Sequence, residues 1–387
     1  MSLSCITTFA CLFIQLLISG AAALPLNESQ AVLAQAALTE ILERGAPILG
    51  FDDGCSKSSS TCDWMAKFSD STKLVHMNLP GTHDTSTWNY SETTQASLLR
   101  YTGPIPPANT FRCQEHSIFQ SLNEGIRVFD LRFAYNPGND TIGFHHAQAL
   151  LAPQTRLEDV LFGLYSWLDN HPTEAVLVSM NYEVGTGTPD DAALQEHLYN
   201  IFQSDLAKKY WVQTNGTLGT LGEARGKLTL LQRFTYSLLP PTSTNRIGIW
   251  LDAAHWTDNG KIIEIVYNAP ENQIAFIEDY YFMDELSADA GTEPNIDLKF
   301  NTTVAHLINA TMFNMDQLYI SFASASHDDA VPPVTPKVMA LGNGTDVPGV
   351  NQKLLPWLRE RKGQRFGIIM LDFYDAVPGL VEAVIGL

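Results

Sequence analysis

The stretch Leu-Pro-Gly-Thr-His-Asp-Thr-Ser, residues 79–86, decides how the fold is interpreted. Residues 74–79 alternate apolar and polar side chains, which predicts a half-buried strand. Pro80-Gly81 is expected to end that strand, because proline lacks a ladder donor and glycine permits a sharp turn. His83 and Asp84 would then lie just past a strand end, where α/β folds hold reactive side chains. The alternative is a surface turn whose polar groups bond only the backbone.

Strand-like and helix-like segments alternate through the rest of the chain. Near-continuous apolar strands between amphipathic helices are typical of parallel strands buried on both faces. Counting from residue 74 gives eight strands, so we predict an α/β fold, a single irregular (β/α)8 TIM-type barrel with an N-terminal extension. The polar stretch at residues 85–109 is expected to be a long functional lid or rim loop. The predicted strands are residues 74–79, 126–132, 141–146, 175–182, 227–234, 274–281, 318–323 and 366–374.

The N-terminus has the composition of a secretory signal. Residues 1–23 carry no charge, and an apolar core precedes the small residues at positions 20–23. We therefore predict cleavage near Ala23 and secretion to the extracellular space. A membrane anchor is the alternative, which the short apolar stretch disfavours. The predicted organisation is a signal peptide at 1–23, an N-terminal extension at 24–72 and the barrel at 73–387.

Sequons and cysteines agree with secretion. Cys55 and Cys62 bracket a polar loop and could close a small disulfide ring, which leaves Cys113 as a buried thiol or an alternative partner. No metal-ligand spacing is evident among these three cysteines. Seven Asn-x-Ser/Thr sequons predict a glycoprotein with surface loops at these positions. They lie at Asn27, Asn89, Asn139, Asn215, Asn301, Asn309 and Asn343.

The net charge of −19 limits the partners of the chain. Such a surface repels nucleic acid and disfavours docking on strongly anionic membranes. The ten histidines would offset part of this charge in an acidic medium, which weakens the argument about membranes there.

Polar or ionisable residues recur at the carboxyl ends of the predicted strands. A barrel gathers these ends into one mouth, so residues nearly three hundred positions apart can meet. Each residue taken alone could be an ordinary rim residue, but the whole set favours a functional site. The set is His83, Arg132, His146, Asn181, Arg233, Asp279 and Asp372.

Three motifs in this order resemble the X domain of phosphatidylinositol-specific phospholipases C. They are residues 79–86, Gly-Ile-Arg-Val-Phe-Asp-Leu-Arg at 125–132, and His145-His146. The likeness extends over roughly residues 70–387 and is closer to the bacterial, metal-independent branch than to the calcium-dependent one. The chain would then be a secreted eukaryotic, fungal-like member of that branch.

The resemblance implies an acid–base mechanism. His83 matches the base that deprotonates the inositol 2-hydroxyl, and Asp372 matches the carboxylate that orients it. His146 matches the general acid, with Asp84 as its carboxylate partner. Arg132 matches the arginine that binds the phosphate, and its fixed charge would repel a calcium ion. The resemblance therefore implies no metal and no cofactor.

Head-group recognition follows from the same resemblance. Arg233 and Asp279 match positions that bond inositol hydroxyls, and Tyr281 matches an aromatic residue against the ring. Asn181 stands where the bacterial enzymes carry a lysine, which leaves affinity and selectivity open. The stretch from Trp250 to Trp256 could contact lipid, although buried tryptophan is the commoner case.

The resulting prediction is a secreted phosphatidylinositol-specific phospholipase C. It would act as a monomer on a phosphoinositide or glycosyl-phosphatidylinositol, with transient membrane contact and no nucleic acid. The products would be diacylglycerol and inositol 1,2-cyclic phosphate. Two alternatives stay open: a phosphodiesterase on soluble or glycan-linked phosphodiesters, and a non-catalytic secreted glycoprotein on the same fold.

Overall fold

A computed structural model describes residues 28–344 and 346–387. The predicted signal peptide and the sequon asparagine Asn27 lie outside these residues. The described residues fall into two units, one that ends at Thr39 and one that comprises Glu40–Leu387. All strands named below belong to the second unit. The predicted boundary between extension and barrel at residues 72 and 73 stays a prediction.

Helices and strands alternate along the second unit much as the sequence pattern indicates. The helices are α1 Glu28–Leu49, α2 Glu92–Thr102, α3 Ala108–Phe111, α4 Ile118–Glu124, α5 Leu157–Asn170, α6 Ala192–Gln203, α7 Asp205–Tyr210, α8 Leu221–Ala224, α9 Thr292–Met312, α10 Pro336–Leu341, α11 Val350–Arg359 and α12 Leu380–Ile385. The strands are β1 Leu79–Thr82, β2 Val128–Tyr135, β3 Ile142–His146, β4 Ala149–Leu150, β5 Val176–Tyr182, β6 Leu228–Arg233, β7 Ile249–Trp250, β8 Ile263–Asn268, β9 Gln273–Glu278, β10 Leu318–Phe322 and β11 Ile368–Leu371. Short 3-10 helices lie at Trp64–Lys67, Leu74–His76, Thr85–Thr87, Ala253–His255 and Tyr374–Ala376.

The main sheet is a nearly closed barrel with the strand order β7-β6-β5-β2-β1-β11-β10-β9-β8. Neighbouring strands from β7 to β9 in this order are parallel, whereas β8 is antiparallel to β9. In the part of the chain that is described, β7 and β8 are not hydrogen-bonded to each other, so the barrel has one seam. The predicted irregular TIM-type barrel is confirmed.

The first predicted strand is wrong in position. Residues 74–76 form a 3-10 helix, and the strand begins later and contains Pro80-Gly81. The amide of Arg127 donates to the carbonyl of Pro80, so the missing N–H of Pro80 faces β2. Pairing with β2 starts at Gly81, so the hydrogen bond that Pro80 cannot donate would lie at the start of the β1–β2 ladder. Proline is tolerated at such a position. A methyl group at Gly81 would lie 2.5 Å from Met370 Sδ, so glycine is required here for close packing.

The third predicted strand is also misplaced within the sheet. Strand β3 pairs antiparallel with the end of β2, where Ile142 lies opposite Tyr135, and it forms a side ribbon with β4. The eighth parallel strand is β7, which the sequence pattern missed because it has only two residues. The predicted number of eight parallel barrel strands is therefore correct, but the strand predicted at residues 141–146 is not one of them.

The predicted lid loop at residues 85–109 is mostly helical. Ser91 accepts a hydrogen bond from the amide of Thr94 and caps α2, and Gly103 ends it with a φ of 65°. Leu98 is the residue of α2 that is buried, so the helix lacks the apolar periodicity that would have identified it.

Other predictions can be compared with the second unit directly. Cys55 and Cys62 form a disulfide, as predicted. Cys113 is a buried free thiol, which is the first of the two alternatives given for it. Among the described sequons, Asn301 and Asn309 lie in α9 and not in loops. None of the described helices combines the length and apolar character needed to cross a membrane.

Candidate active site

The carboxyl ends of the parallel strands surround an open cavity of about 490 Å³. Eight of the nine predicted site residues line it, and the ninth, Asp84, is completely buried beside them. The predicted residues in the cavity wall are His83, Arg132, His146, Asn181, Arg233, Asp279, Tyr281 and Asp372.

His83 follows β1 and Asp372 follows β11, and the two strands are paired in parallel. This register places His83 Nδ1 3.0 Å from Asp372 Oδ1. On the other side of the ring, Arg132 Nη2 lies 2.8 Å from His83 Nε2. A guanidinium can only donate, so Nε2 carries the lone pair and Nδ1 donates its proton to Asp372. His83 is thus held in the tautomer that a base needs at Nε2.

His146 ends β3 and faces His83 edge-on, with 6.2 Å between the ring centroids. Its Nδ1 lies 3.1 Å from Asp84 Oδ2 and 2.7 Å from the carbonyl oxygen of Phe111. The hydrogen-bond geometry is satisfied with the carbonyl and not with the carboxylate. The predicted partner Asp84 is therefore adjacent, while the backbone of Phe111 orients the ring.

Arg132, on β2, is surrounded by carboxylates. Its Nε lies 3.2 Å from Asp130 Oδ2 and 3.4 Å from Asp84 Oδ2, and its Nη1 lies 3.7 Å from Glu183 Oε1. Although burial opposes its charge, these carboxylates raise the pKa of Arg132 well above its ordinary value. The guanidinium is a permanent cation between the two histidines.

The electrostatics of the site keep both histidines neutral in the unliganded protein. Burial, followed by the charge of Arg132, lowers the pKa of His83 well below its ordinary value and that of His146 to about 4. Burial raises the pKa values of Asp84 and Asp372 well above the usual range of a carboxyl group. An anion entering the cavity would reverse part of this effect on the histidines.

Three residues beside these side chains adopt left-handed backbone conformations. Asp84, Ala147 and Phe373 have φ values of 44°, 47° and 44°. Each follows one of the strands that carry His83, His146 and Asp372. Non-glycine residues in this region cost about 1 to 3 kcal/mol each and are frequent at functional sites.

The remaining predicted residues form the far wall of the cavity. Arg233 Nη1 lies 3.2 Å from Asp130 Oδ1, and its guanidinium stacks 3.8 Å from the centroid of a Trp256 ring. Trp256 Nε1 donates to Asp279 at 2.8 Å. The wall therefore offers a cation and a carboxylate that an aromatic side chain holds in place.

Tyr281 and Asn181 are each held by an acidic neighbour in this wall. Tyr281 donates its hydroxyl to Asp258 at 2.7 Å. The Asn181 amide lies 3.4 Å from Glu183 Oε2, and Glu183 Oε1 accepts from the amide of Ala147 at 2.7 Å. Polar groups of both signs are thus available to a ligand rich in hydroxyls.

A family model described as phosphatidylinositol-specific phospholipase C, X domain, matches residues 108–234. This segment of the chain is therefore similar to that domain. The matched segment contains Arg132, His146, Asn181 and Arg233, whereas His83 and Asp372 lie outside it.

Curated relatives extend the likeness beyond the X domain. A 1-phosphatidylinositol phosphodiesterase of Listeria monocytogenes is 27% identical over 221 residues, which cover 57% of this chain and 62% of the relative. The chain thus matches less than two thirds of the length of that relative. A protein of the same description from Staphylococcus aureus is 22% identical over 276 residues, covering 69% of this chain and 82% of the relative. The predicted resemblance to the bacterial-type branch is confirmed.

Solved structures agree with the barrel. A mutant phosphatidylinositol-specific phospholipase C from Staphylococcus aureus has a TM-score of 0.65 at 19% identity, covering 84% of this chain and 97% of that one. The corresponding protein from Listeria monocytogenes has a TM-score of 0.57 at 23% identity, with coverage of 84% and 97%. At these identities the likeness shows the fold.

Two acidic residues of this cavity region, Asp130 and Glu183, were not among the predicted site residues. Asp130 shares a strand face with Arg132 and lies between two arginines, which outweigh burial and lower its pKa to about 2. Glu183 has a buried side chain in the cavity wall. The alternation of side chains along a strand could have indicated both residues. Asp130 lies two positions before Arg132 on β2, and Glu183 lies two positions after Asn181, just past the end of β5.

The two tryptophans near the cavity have different environments. Trp256 lies in the cavity wall against Arg233, so it is not the exposed lipid contact considered above. Trp250 is 48% exposed on β7. Lipid contact by this stretch therefore remains a prediction for Trp250 alone.

Proposed function

We propose that the protein is a secreted phosphatidylinositol-specific phospholipase C that works by acid–base catalysis. The observation that carries this proposal is the arrangement of two facing histidines, each beside a carboxylate, with Arg132 2.8 Å from His83. A binding protein has no need of a base, an acid and a fixed cation in one cavity. The family resemblance supplies the substrate class.

The first half of the reaction uses His83 and Arg132. When the substrate phosphate binds, its oxygen atoms accept from the Arg132 guanidinium, which releases Nε2 of His83. The freed lone pair takes the proton of the inositol 2-hydroxyl, and Asp372 stabilises the resulting imidazolium through Nδ1. The inositol oxygen then forms a bond to phosphorus.

The second half uses His146. As the bond between phosphorus and the glycerol oxygen breaks, His146 donates a proton to that oxygen and diacylglycerol leaves. The product is inositol 1,2-cyclic phosphate, and the charge that develops on phosphate lies against Arg132. In the unliganded protein His146 is neutral, so the bound phosphate has to raise its pKa before it can act as the acid.

Head-group binding is proposed for the far wall. Arg233, Asp279 and Asn181 would bond inositol hydroxyls, and Tyr281 would lie against the ring. A soluble or glycan-linked phosphodiester is the second candidate substrate, because Asn181 bonds Glu183 and brings no positive charge to this wall. The proposed protein is a monomeric glycoprotein that contacts membranes transiently.

The test compares phosphatidylinositol vesicles with glycerophosphoinositol, with phosphorus NMR following the product. We expect a cyclic phosphate from the vesicles and a loss of at least about 10²-fold in kcat for His83→Ala. His76→Ala is the matched control, because His76 precedes β1 and bonds Asp316 away from the cavity. Activity that survives His83→Ala would exclude the mechanism, and cleavage of the soluble ester alone would favour the second candidate.

A chelator tests the proposed independence from calcium. We expect full activity after divalent ions are removed, because Arg132 supplies the positive charge at the phosphate. Loss of activity that calcium restores would contradict this part of the proposal.

A further inference from the structure

Strand β8 has an outer face that the rest of the barrel leaves open. Strands β6, β10 and β11 are buried on both faces, whereas residues 262–266 alternate between exposed and buried. Parallel strands are joined by crossover helices that cover the outer face of the sheet. Strand β8 instead runs antiparallel into β9 with no helix between the two. Ile262, just before β8, and Val266 are therefore 68% and 56% exposed.

This open face forms a groove with α9. Two cavities of about 310 Å³ each lie along it, and both are lined by Ile262, His306 and Asn309. One cavity extends to Asn301, and the other extends to Phe313, which is 53% exposed. We call the two together the β8–α9 groove. It shares no lining residue with the active-site cavity, so it is a separate apolar feature of the surface.

Two of the predicted glycosylation sites lie in this groove. Asn301 and Asn309 are both on α9, about two helical turns apart, and they line the same cavity. Asn301 is exposed and Asn309 is half-buried. Neither side-chain amide is hydrogen-bonded within the part of the chain that the structure describes. Both nitrogens are therefore available to carry a sugar into the groove.

The threonines of the same two sequons point into the fold. Thr303 donates to Glu278 Oε2 at 3.2 Å, and Thr311 donates to the carbonyl of Leu307 at 3.1 Å. A sequon is recognised through both its asparagine and its threonine. A sugar would therefore be attached before this part of the chain folds, as in a chain that is entering the secretory pathway.

His306 adds an unpaired polar atom to the groove. The residue is 4% exposed, and its Nδ1 lies 2.7 Å from Ser321 Oγ. Its Nε2 has no hydrogen-bond partner among the described residues. A buried polar atom without a partner indicates that a bonding group is missing. A hydroxyl group can donate to a ring nitrogen or accept from it, so it suits either tautomer of this histidine.

We propose that N-linked glycans on Asn301 and Asn309 cover the β8–α9 groove and take the place of a crossover helix. In the attachment step, Nδ2 of each asparagine forms a bond to C1 of an N-acetylglucosamine. The bond from C1 to the lipid-linked pyrophosphate of the sugar donor breaks, and Nδ2 loses a proton. The inference rests on the proposed secretion of the protein and not on its catalytic activity.

The chemistry of a sugar ring suits both sides of this interface. A pyranose has a face rich in C–H groups, which packs on Ile262 and Val266 and on the negative face of the Phe313 ring. Its hydroxyl groups stay in water, apart from one that supplies the partner that His306 lacks. A second copy of the chain or a lipid would need the same face free, and sugars at two asparagines exclude both.

Site occupancy is measured on the full chain secreted from a eukaryotic host. An amidase that releases N-glycans in H₂¹⁸O converts each occupied asparagine into a labelled aspartate, which peptide mass spectrometry locates. We expect label at Asn301 and Asn309, with Asn89 as an exposed reference sequon outside the groove. Label at Asn89 but not at the other two would overturn this inference alone. A secreted protein without any label would overturn the proposed glycoprotein as well.

The covering role is tested with the double variant Asn301→Gln and Asn309→Gln, which keeps the helix because glutamine is the better helix former. We expect it to bind a hydrophobic fluorescent dye at least about twofold more than the wild type, since a contiguous apolar patch becomes accessible. Asn89→Gln is the matched control and should bind the dye like the wild type.

A further substitution separates an uncovered groove from misfolding. Ile262→Ser should reverse the added dye binding of the double variant but change nothing in the glycosylated wild type, where the groove is already covered. Equal dye binding by the double variant and Asn89→Gln would overturn the covering role. Added binding that Ile262→Ser leaves unchanged would overturn it too, because the dye would then bind elsewhere.

Discussion

At the scale of single residues, burial and one arginine determine what the two histidines can do. His83 and His146 have side chains that are 12% and 17% exposed, and both lie near Arg132. Exposed histidines would titrate close to neutral pH. Here the pKa of each imidazole is lowered, because burial removes water from its charged form and the guanidinium of Arg132 repels that charge.

The pH dependence of kcat/KM tests this electrostatic arrangement. His146, the proposed general acid, must be protonated to act, and its pKa is lowered to about 4 in the free protein. Raising the pH above that value deprotonates it, so we expect kcat/KM to fall as the pH rises from about 4 towards neutrality. In Arg132→Gln the descending limb should move to higher pH, because the repelling cation is gone. A limb at the same pH in both proteins would contradict this explanation.

The sequence predicted the side chains that lie together in the cavity but not all their hydrogen-bond partners. His83, Arg132 and Asp372 could be predicted because reactive side chains at strand ends form a recognisable pattern. The Phe111 carbonyl, which orients His146, could not be predicted since every residue carries a carbonyl group. Its position depends on the short helix α3, which the sequence pattern missed.

At the scale of elements, the linker between α3 and α4 connects the ends of the two strands that precede His83 and Asp372. The buried side chain of Gln114 donates from Nε2 to the carbonyl of His83 at 2.7 Å and to that of Leu371 at 2.8 Å. It therefore joins the ends of β1 and β11, which His83 and Asp372 directly follow. Under the proposed mechanism, Gln114 is a positioning residue.

Replacement of Gln114 by leucine tests that role. The Leu371 carbonyl keeps the amide of His83 as a donor, whereas the His83 carbonyl loses Gln114. We expect a loss of about 1 to 3 kcal/mol in unfolding free energy and a fall of about 10- to 100-fold in kcat.

The matched control for this prediction is Gln213→Leu. Gln213 Nε2 also bonds two carbonyls, those of Ala207 and Trp211, both at 3.0 Å, but it lies outside the cavity wall. Because Gln213 is exposed, the control should lose little stability, within about 0.5 kcal/mol, and its kcat should stay unchanged. Equal kcat values for Gln114→Leu and the control would show that Gln114 is only structural.

Element positions were less predictable than element types. Pro80-Gly81 is a turn signal in most sequences, yet β11 and β2 on either side make it a buried strand. The reverse error occurred at residues 141–146, where an apolar run predicted a barrel strand and the chain forms an antiparallel ribbon. In both cases tertiary pairing overrode the local pattern.

At the scale of the whole molecule, the net charge of −19 affects how the protein approaches a membrane. An anionic surface repels it over a Debye length, which is about 30 Å at 0.01 M salt and about 8 Å at 0.15 M. The barrel itself was predictable because alternating strands and helices permit few architectures. The seam between β7 and β8 could not be predicted, since neither strand has a distinctive sequence pattern.

Vesicle composition tests the effect of this charge. We expect phosphatidylinositol in neutral lipid to be cleaved faster than in a phosphatidylserine matrix at low salt. The difference should shrink as salt is raised to about 0.15 M, because screening weakens the repulsion. Cleavage of glycerophosphoinositol in the same mixtures is the control and should not depend on the added lipid. Faster cleavage on the anionic vesicles would contradict the prediction.

The left-handed backbones at Asp84, Ala147 and Phe373 have a consequence for the evolution of this chain. Selection for thermostability alone would favour glycine at such positions, because glycine adopts them without strain. Glycine would also let the adjacent histidines and carboxylate move, so a drift towards heat resistance would reduce turnover. A lineage that needs a more heat-resistant enzyme would instead have to acquire stabilising substitutions in helices and loops far from the cavity.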